Sequence, residues 1–448
     1  MKRIQIPLVL AALWFAEFSS TVVADSRAAF DLSVIAEDTS PKIAGLKNAV
    51  AKGDSAALVS FWTSTSAAGT PLIEVIPGDP KHVLVTFLWR AVEPTTKVIL
   101  FAQLSNSRDP SALTLARLLD TDLWYKTFRM RHDLRFSYSF FPNTNTASIR
   151  DTDAKKIDPL NHHQYSTAPD RGNPNATVLG GSIVELPGAP PQSWIFSKPQ
   201  VSKGSLEMRP FESAILKNQR RIWIYTPAAY QDTQTTDSAL LLCFDGGAYV
   251  SSNSIPTPAI LDNLIAAHKI PPTIGVFVEN PQEQRLIDLT NHQPFADFLA
   301  RELLPWVHRN WRATSDPART VICGFSAGGL TASYVAFRQP SIFGNVLSQS
   351  GAYWRGNEGG TEDREWLTHQ YQSSRKLPVR FVLQAGVLEF APSLNGVTIL
   401  DANRHLRDVL SAKGYEVHYS EEPGGHEPLS WRGGLANGLI TLLGGAQP

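Results

Sequence analysis

Two hydrophobic patterns divide the chain. From about residue 206 onward, short apolar runs end in turn residues: RIWIYTP, ALLLCFDGG, TIGVFVE, TVICGFS, VLSQSG, PVRFVLQAG and YEVHYSEEPGG. Between them lie stretches with helical spacing, namely IPTPAILDNLIAAHKI, FADFLARELLPWVHRNW, AGGLTASYVAFRQ and LDANRHLRDVLSAKGY. Strand and helix patterns that take turns predict βαβ units around a mostly parallel sheet. Strands covered on both faces should be almost wholly apolar, and these are. In such a sheet, reactive side chains belong at the carboxyl ends of the strands.

Before residue 206 the pattern is different. HVLVTFLWRA, TKVILFAQL and RFSYSFFP are β-branched and aromatic runs separated by polar, proline-containing turns. They predict a small β-sandwich, a β-rich domain over 25–150, with residues 25 to about 75 leading into it. LARLLDTDLW reads as a loop with a short helical turn. Residues 151–205 are dense in Pro, Asn, Asp and Ser and poor in periodicity, so they read as a connector. An α/β domain then occupies 206–448, and no internal repeat is detected.

Composition narrows the class. A chain of 448 residues is long for one core, in keeping with two domains. Lys plus Arg and Asp plus Glu number 41 each, so no net field favours nucleic acid or an anionic membrane. An anionic ligand has to be met by local cations. The start, MKRIQIPLVLAALWFAEFSSTVVADS, has a basic head, an apolar stretch from Ile6 to Phe15 and small residues at Val22-Val23-Ala24. That is the layout of a signal peptide over residues 1–24, and export is expected. No other segment is long and apolar enough to span a bilayer. Cys243 and Cys323 lie in strand-like apolar runs and read as buried thiols, with no zinc-site spacing.

The candidate chemistry sits where the sheet argument puts it. TVICGFSAGGL carries G-x-S-x-G between an apolar strand and a helix beginning near Ala327. In that context the serine of a glycine-rich turn becomes a nucleophile elbow, with Ser326 lifted clear and the Ala327 N–H facing the same space. The fold expected is therefore an α/β-hydrolase catalytic domain. A serine hydroxyl needs a base, and His426, in EEPGGHEPLSW directly after a strand, is placed to supply it. His405 and His418 fall on a helix and a strand, and the adjacent His162 and His163 are poorly placed to share one metal. Chain order puts the acid between Ser and His, which selects Glu389 after PVRFVLQAG over a solvated loop charge, with Asp401 and Asp408 as competitors. FDGGAYV supplies the second oxyanion donor, the Gly247 N–H, with Asp245 organising the turn.

These residues, taken together, resemble the enterochelin (ferric-enterobactin) esterase family within the esterase-D-like α/β-hydrolases. The resemblance covers nearly all of the chain after the leader. It rests on TFLWRA, TDLWYKTFRMRHDLRFSYSF, DPLN, FDGGAYV, GFSAGGL, VLSQSGAYW, AGVLE and GGHEPLSWRGGL, in that order. It implies hydrolysis of the tri-serine lactone esters of a catecholate siderophore, with Ser326 as nucleophile, His426 as base, Glu389 as acid and Gly247 and Ala327 as oxyanion donors. GGHEP departs from the GGHD more usual in the family. Arg355 stands where a second aromatic is common. Many two-domain members are cytoplasmic, whereas the leader here implies a periplasmic protein.

A ferric tris-catecholate is flat-faced and anionic, so it calls for aromatic faces and cations. Trp354 and Arg355 after VLSQSG, and Trp431 and Arg432 after the His426 loop, are the expected contacts. Packing and surface charge are the alternative roles of these four. Iron is expected to arrive with the substrate; no metal site and no cofactor of the protein's own are expected. A feruloyl or other aromatic-ester carbohydrate esterase on the same scaffold stays open, as does a non-catalytic siderophore-binding protein. So does the oligomeric state, a homo-oligomer included.

Overall fold

Aromatic and β-branched alternation builds the N-terminal unit as two antiparallel sheets. The computed structural model describes residues 34–444 apart from 106–108, 145–153, 167–179, 229, 232–236, 358–361 and 394, so the expected leader over 1–24 lies outside the described residues. The strands of this unit are β1 (Ile35–Glu37), β2 (Leu72–Val75), β3 (His82–Arg90), β4 (Val98–Phe101) and β5 (Ala116–Arg117). They continue with β6 (Leu123–Arg131), β7 (Arg135–Pro142), β8 (Gln164–Ser166) and β9 (Gly180–Glu185). One sheet runs β1-β6-β3-β2 with β5 on β6, the other β4-β7-β9-β8. Ring contacts join the two: Phe87 of β3 meets Tyr138 of β7 at 4.9 Å, and Trp89 meets Phe140 at 5.4 Å. Such edge-to-face pairs add to the burial that holds a sandwich together.

Three features of this unit differ from the sequence reading. Two helices, α1 (Pro41–Ala51) and α2 (Ser55–Ala68), precede β2. Ser40 and Asp54 cap them, accepting from the N–H groups of Ile43 and Ala57, as N-cap residues do. LARLLDTDLW, expected as a loop, holds β5 and the start of β6. The connector expected over 151–205 is a correction: β8 and β9 within it complete the second sheet, because β7 needs a ladder partner on its free edge.

The chain divides into two compact units. The first runs to Pro190 and takes in Phe390–Pro392 and Pro423–Gly425; the second holds Pro191–Glu389, Ser393–Glu422 and the residues from His426 on. The boundary thus falls at Pro190, ahead of the expected 205.

The second unit is built on one sheet of eight strands. These are β10 (Ser205–Ser213), β11 (Asn218–Thr226), β12 (Ala239–Cys243), β13 (Thr273–Val278), β14 (Thr320–Phe325), β15 (Asn345–Gln349), β16 (Arg380–Gly386) and β17 (Val417–Glu422). Their order is β10-β11-β13-β12-β14-β15-β16-β17, parallel from β13 onward and antiparallel at the β10 and β11 edge. Register brings Phe325, Gln349 and Gln384 onto one line across β14, β15 and β16. Cys243 and Cys323 are partners on β12 and β14, buried and unbridged.

The helices of this unit are α3 (Gly246–Val250), α4 (Thr257–Ala266), α5 (Arg285–Asp288), α6 (Gln293–Phe298) and α7 (Leu304–Asn310). After these come α8 (Ala327–Arg338), α9 (Trp366–Ser373), α10 (Ile399–Ala412) and α11 (Pro428–Leu443). FADFLARELLPWVHRNW, expected as one helix, is α6 and α7 joined through a π segment at Leu299–Leu303. Pro305 lacks the N–H that a continuous α-helical ladder requires. On one face, α4 and α11 bring Ile260, Leu264, Leu435 and Leu439 against Leu241, Val321 and Leu347 of the strands.

Gly438 lets α11 approach that closely. A Cβ there would lie 2.4 Å from Leu347 Cδ1. Gly438→Val should therefore lower stability by about 1–3 kcal/mol, the usual cost of overpacking. Urea denaturation measures it, and an unchanged midpoint would show that α11 has room to move.

Candidate active site

Ser326 makes the corner between β14 and α8. Its backbone is at φ 56° and ψ −123°, a region that side-chain-bearing residues enter at a cost of order 1–3 kcal/mol. The corner is pinned on both sides. Ser326 N–H donates to Gln349 O at 2.9 Å, while Ser326 O accepts from Gly329 N at 3.1 Å and Ala352 N at 3.0 Å. Gly324 is required by close approach, since a Cβ would lie 2.4 Å from Gly328 C. Strand and helix can fold back on one another only with hydrogen at that position.

Glu389 follows β16 and is buried, its side chain 1% exposed. One carboxylate oxygen, Oε2, accepts from Gly386 N–H at 2.7 Å. The other, Oε1, lies 2.6 Å from His426 Nδ1. An ionised carboxylate can only accept, so Nδ1 carries the proton and Nε2 is left as the basic nitrogen. The histidine stands in the turn between β17 and α11, its side chain 18% exposed. Acid and imidazole, 37 residues apart, are thus brought together.

Trp431 and Gln349 connect this pair to the elbow. The Trp431 ring stacks on Phe325 at 4.2 Å with planes 8° apart, and its edge-to-face contact with His426 is at 5.0 Å. Its indole N–H donates to Ser350 Oγ at 2.9 Å. Gln349 Nε2 donates to Trp431 O at 2.7 Å and to Gln384 Oε1 at 2.9 Å, and Oε1 accepts from Tyr249 OH at 3.1 Å. Gln384 Nε2 goes on to Gly434 O at 2.9 Å. Two buried carboxamides therefore tie β15, β16, α3 and α11 into one frame.

On the far side of β14, Asp245 follows β12 in a left-handed conformation, φ 51° and ψ 47°. Gly246 and Gly247 come directly after it, and a Cβ on Gly246 would meet the Phe277 backbone at 2.8 Å. Gly247 is the second residue of α3 and exposed, and Ala327 is the first residue of α8. N–H groups at such positions precede the intrahelical ladder and are available to an outside acceptor.

The four expected ligand contacts fare differently. Arg355 lies over the Trp354 ring at 4.8 Å, and its buried Nε has no hydrogen-bond partner among the described residues. Burial, then the nearby Arg285 guanidinium, bring Arg355 down to about 10, which leaves it a cation at neutral pH. Trp354 is 9% exposed. Trp431, expected against a ligand, is instead a packing residue, since its indole N–H and one ring face are taken within the unit. Arg432 donates through Nε to Gln192 Oε1 at 2.7 Å.

Sequence reasoning missed Gln349, Gln384 and Arg285. The two glutamines were legible only as polar residues inside apolar strand runs, a pattern that buried strands ordinarily avoid. Among the described residues no cluster of side chains could hold a metal ion, and no helix is long and apolar enough to cross a membrane.

Two family models match the chain: one described as "Putative esterase" over residues 213–442, and one described as enterochelin esterase, N-terminal, over residues 84–195. The chain is 29% identical to the iron(III) enterobactin esterase of Dickeya dadantii, over 87% of this chain and 94% of that protein. With the iron(III) enterobactin esterase of Yersinia enterocolitica the identity is 32%, over 60% and 82%. The crystal structure of the Shigella flexneri enterobactin esterase in the presence of enterobactin matches with a TM-score of 0.67 at 27% identity. It covers 86% of this chain and 97% of that one.

The carboxamide frame is open to direct test. Gln349→Leu keeps much of the side-chain volume but removes a partner from the Trp431 carbonyl, the Tyr249 hydroxyl and Gln384 Oε1. Stability should fall by about 1–3 kcal/mol in chemical denaturation, the range for a buried group left unpaired. A loss below about 0.5 kcal/mol, no more than an ordinary surface substitution gives, would show the frame to be dispensable.

Proposed function

Given that the chain belongs to the enterochelin esterase family of carboxylic ester hydrolases, we propose that it opens the serine-lactone esters of an enterobactin-type catecholate siderophore. Ser326 is the nucleophile, His426 the base and Glu389 its acidic partner. The observation that carries this reading is the 2.6 Å contact of His426 Nδ1 with Glu389 Oε1, at the strand ends of the sheet that delivers Ser326.

His426 Nε2 takes the Ser326 Oγ proton as Oγ bonds to the lactone carbonyl carbon. The carbonyl oxygen becomes an oxyanion held by the N–H groups of Gly247 and Ala327. Collapse breaks the ester C–O bond, and the departing serine alkoxide takes the proton from His426. Water then gives a proton to the same nitrogen as its oxygen bonds to the acyl carbon; collapse breaks the bond to Ser326 Oγ, which takes that proton back from His426 as the acid departs. Glu389 stays ionised throughout and stabilises the imidazolium.

Arg355, charged and backed by Trp354, is the cation for the anionic face of the substrate. Iron enters with the catecholates, as part of the substrate. The leader layout at residues 1–24 supports export, with the reaction in the periplasm.

Incubation of the protein without residues 1–24 with ferric and iron-free enterobactin, followed by mass analysis, tests the proposal. Linear and cleaved serine esters are expected, and intact ligand after prolonged incubation would leave a binding protein. Ser326→Ala should lose several powers of ten in turnover, about the cost of removing a triad member. Arg355→Ala should raise KM for enterobactin at least about tenfold while sparing a neutral feruloyl ester, because a desolvated charge contact contributes on that order. Equal effects on both esters would remove Arg355 from substrate recognition.

A further inference from the structure

The turn that carries Gly247 is held by one buried ion pair. Arg285 Nε donates to Asp245 Oδ1 at 2.7 Å and Nη2 to Oδ2 at 2.7 Å. The two side chains are 12% and 9% exposed. This fork-to-carboxylate geometry fixes orientation as well as charge. The backbone of the same residue is fixed by a second route. Asp245 N–H donates to Asn280 Oδ1 at 3.0 Å, and Asn280 Nδ2 donates to Asp288 Oδ2 at 3.1 Å. Asp288 also accepts from Arg220 Nη1 at 2.9 Å, whose side chain is wholly buried. Arg285 and Asp288 both belong to α5, so one short helix grips Asp245 by its side chain and, through Asn280, by its backbone.

The position of the carboxylate gives the pair a second consequence. A Cβ built on Gly328, the second residue of α8, would stand 3.7 Å from Asp245 Oδ2. On the other side, Arg285 Cζ lies 5.8 Å from the ring of Phe325, the residue before Ser326. An acidic side chain therefore sits beside the first turn of the nucleophile helix, where negative charge develops on the reacting carbonyl. Unpaired, it would oppose that charge.

We infer that Arg285 is a positioning residue for ester cleavage: it holds Asp245 in the turn that aims the Gly247 N–H and neutralises a carboxylate that would otherwise repel the oxyanion. The inference rests on the roles given above to Ser326, Gly247 and Ala327. Aspartate suits the turn because its short polar side chain enters the left-handed region more readily than most residues do. It also brings a charge that needs a counter-ion, and Arg285 is that counter-ion.

The test uses p-nitrophenyl acetate, a small neutral ester whose turnover does not depend on recognition of an anionic substrate. Arg285→Gln should lower kcat about 100-fold or more, comparable to losing one oxyanion donor, with KM within about threefold. Arg285→Lys keeps the charge without the fork and should lose less than about tenfold. The double variant Asp245→Asn/Arg285→Gln removes both charges and keeps a residue tolerant of the turn, so it should regain at least about tenfold over Arg285→Gln, as coupled sites do. A folded Arg285→Gln with kcat within about threefold of the parent overturns the inference. So does a double variant no faster than the single one, or a lysine variant as slow as the glutamine variant. If Arg285→Gln does not fold, the double variant carries the test, and a folded but inactive double variant overturns it. Ser326→Ala is assayed alongside. Activity retained there means that the nucleophile assignment has failed, whatever Arg285 shows.

Discussion

A carboxamide buried between parallel strands brings two donors and an acceptor that must all be met without water. Gln349 meets them with the Trp431 carbonyl, the Gln384 side chain and the Tyr249 hydroxyl, while its own backbone carbonyl accepts from Ser326 N–H. The residue that pins the strained serine from below is thus the same one that anchors α11. Trp431 of α11 stacks on Phe325 and carries the His426 ring on its edge. Ser326 and His426, the proposed nucleophile and base, arrive from distant parts of the chain, yet they share supports only two residues deep. Such a frame restricts their relative movement far more than the loop on which His426 stands could do alone.

Charge follows a similar economy. Asp245 and Glu389 both stand just beyond strands of the sheet, and their surroundings give them opposite tasks. Glu389 meets an imidazole on one oxygen and a backbone N–H on the other, so its charge is directed at His426. Asp245 is met on both oxygens by Arg285, so its charge is spent on geometry. The same type of side chain can act as an electrostatic partner or as a structural peg, and the neighbour decides which.

Much of this was legible in the sequence because it depends on local chemistry. The apolar strand runs fixed the sheet, G-x-S-x-G between strand and helix marked Ser326, and chain order picked Glu389 and His426, whose side chains do meet. What escaped was set by tertiary partners. α1 had a local signal in Ser40-Pro41, a capping residue followed by proline at the first helical position, but without apolar periodicity it did not stand out. β8 is three residues long and β9 opens on two glycines, both among turn residues, so only the ladder from β7 through β9 to β8 reveals them as strands. Trp431 looked like a ligand-facing aromatic because adjacency to His426 in sequence says nothing about which face of α11 it occupies. Arg285 could not be matched to Asp245 across 40 residues without the fold.

The Trp354–Arg355 corner is tied through its backbone, to Asn395, Ala352 and Trp366, and stands outside the carboxamide frame. Its guanidinium nitrogen Nε is unmatched among the described residues, and the paired carboxamides bypass it altogether. Inheritance can therefore act on the two parts separately. With Arg355 in the recognition role proposed for it, substitutions at 355 can be selected for new ester partners while the elbow, the imidazole and their supports stay fixed, so that a lineage can diversify its diet without relearning its chemistry.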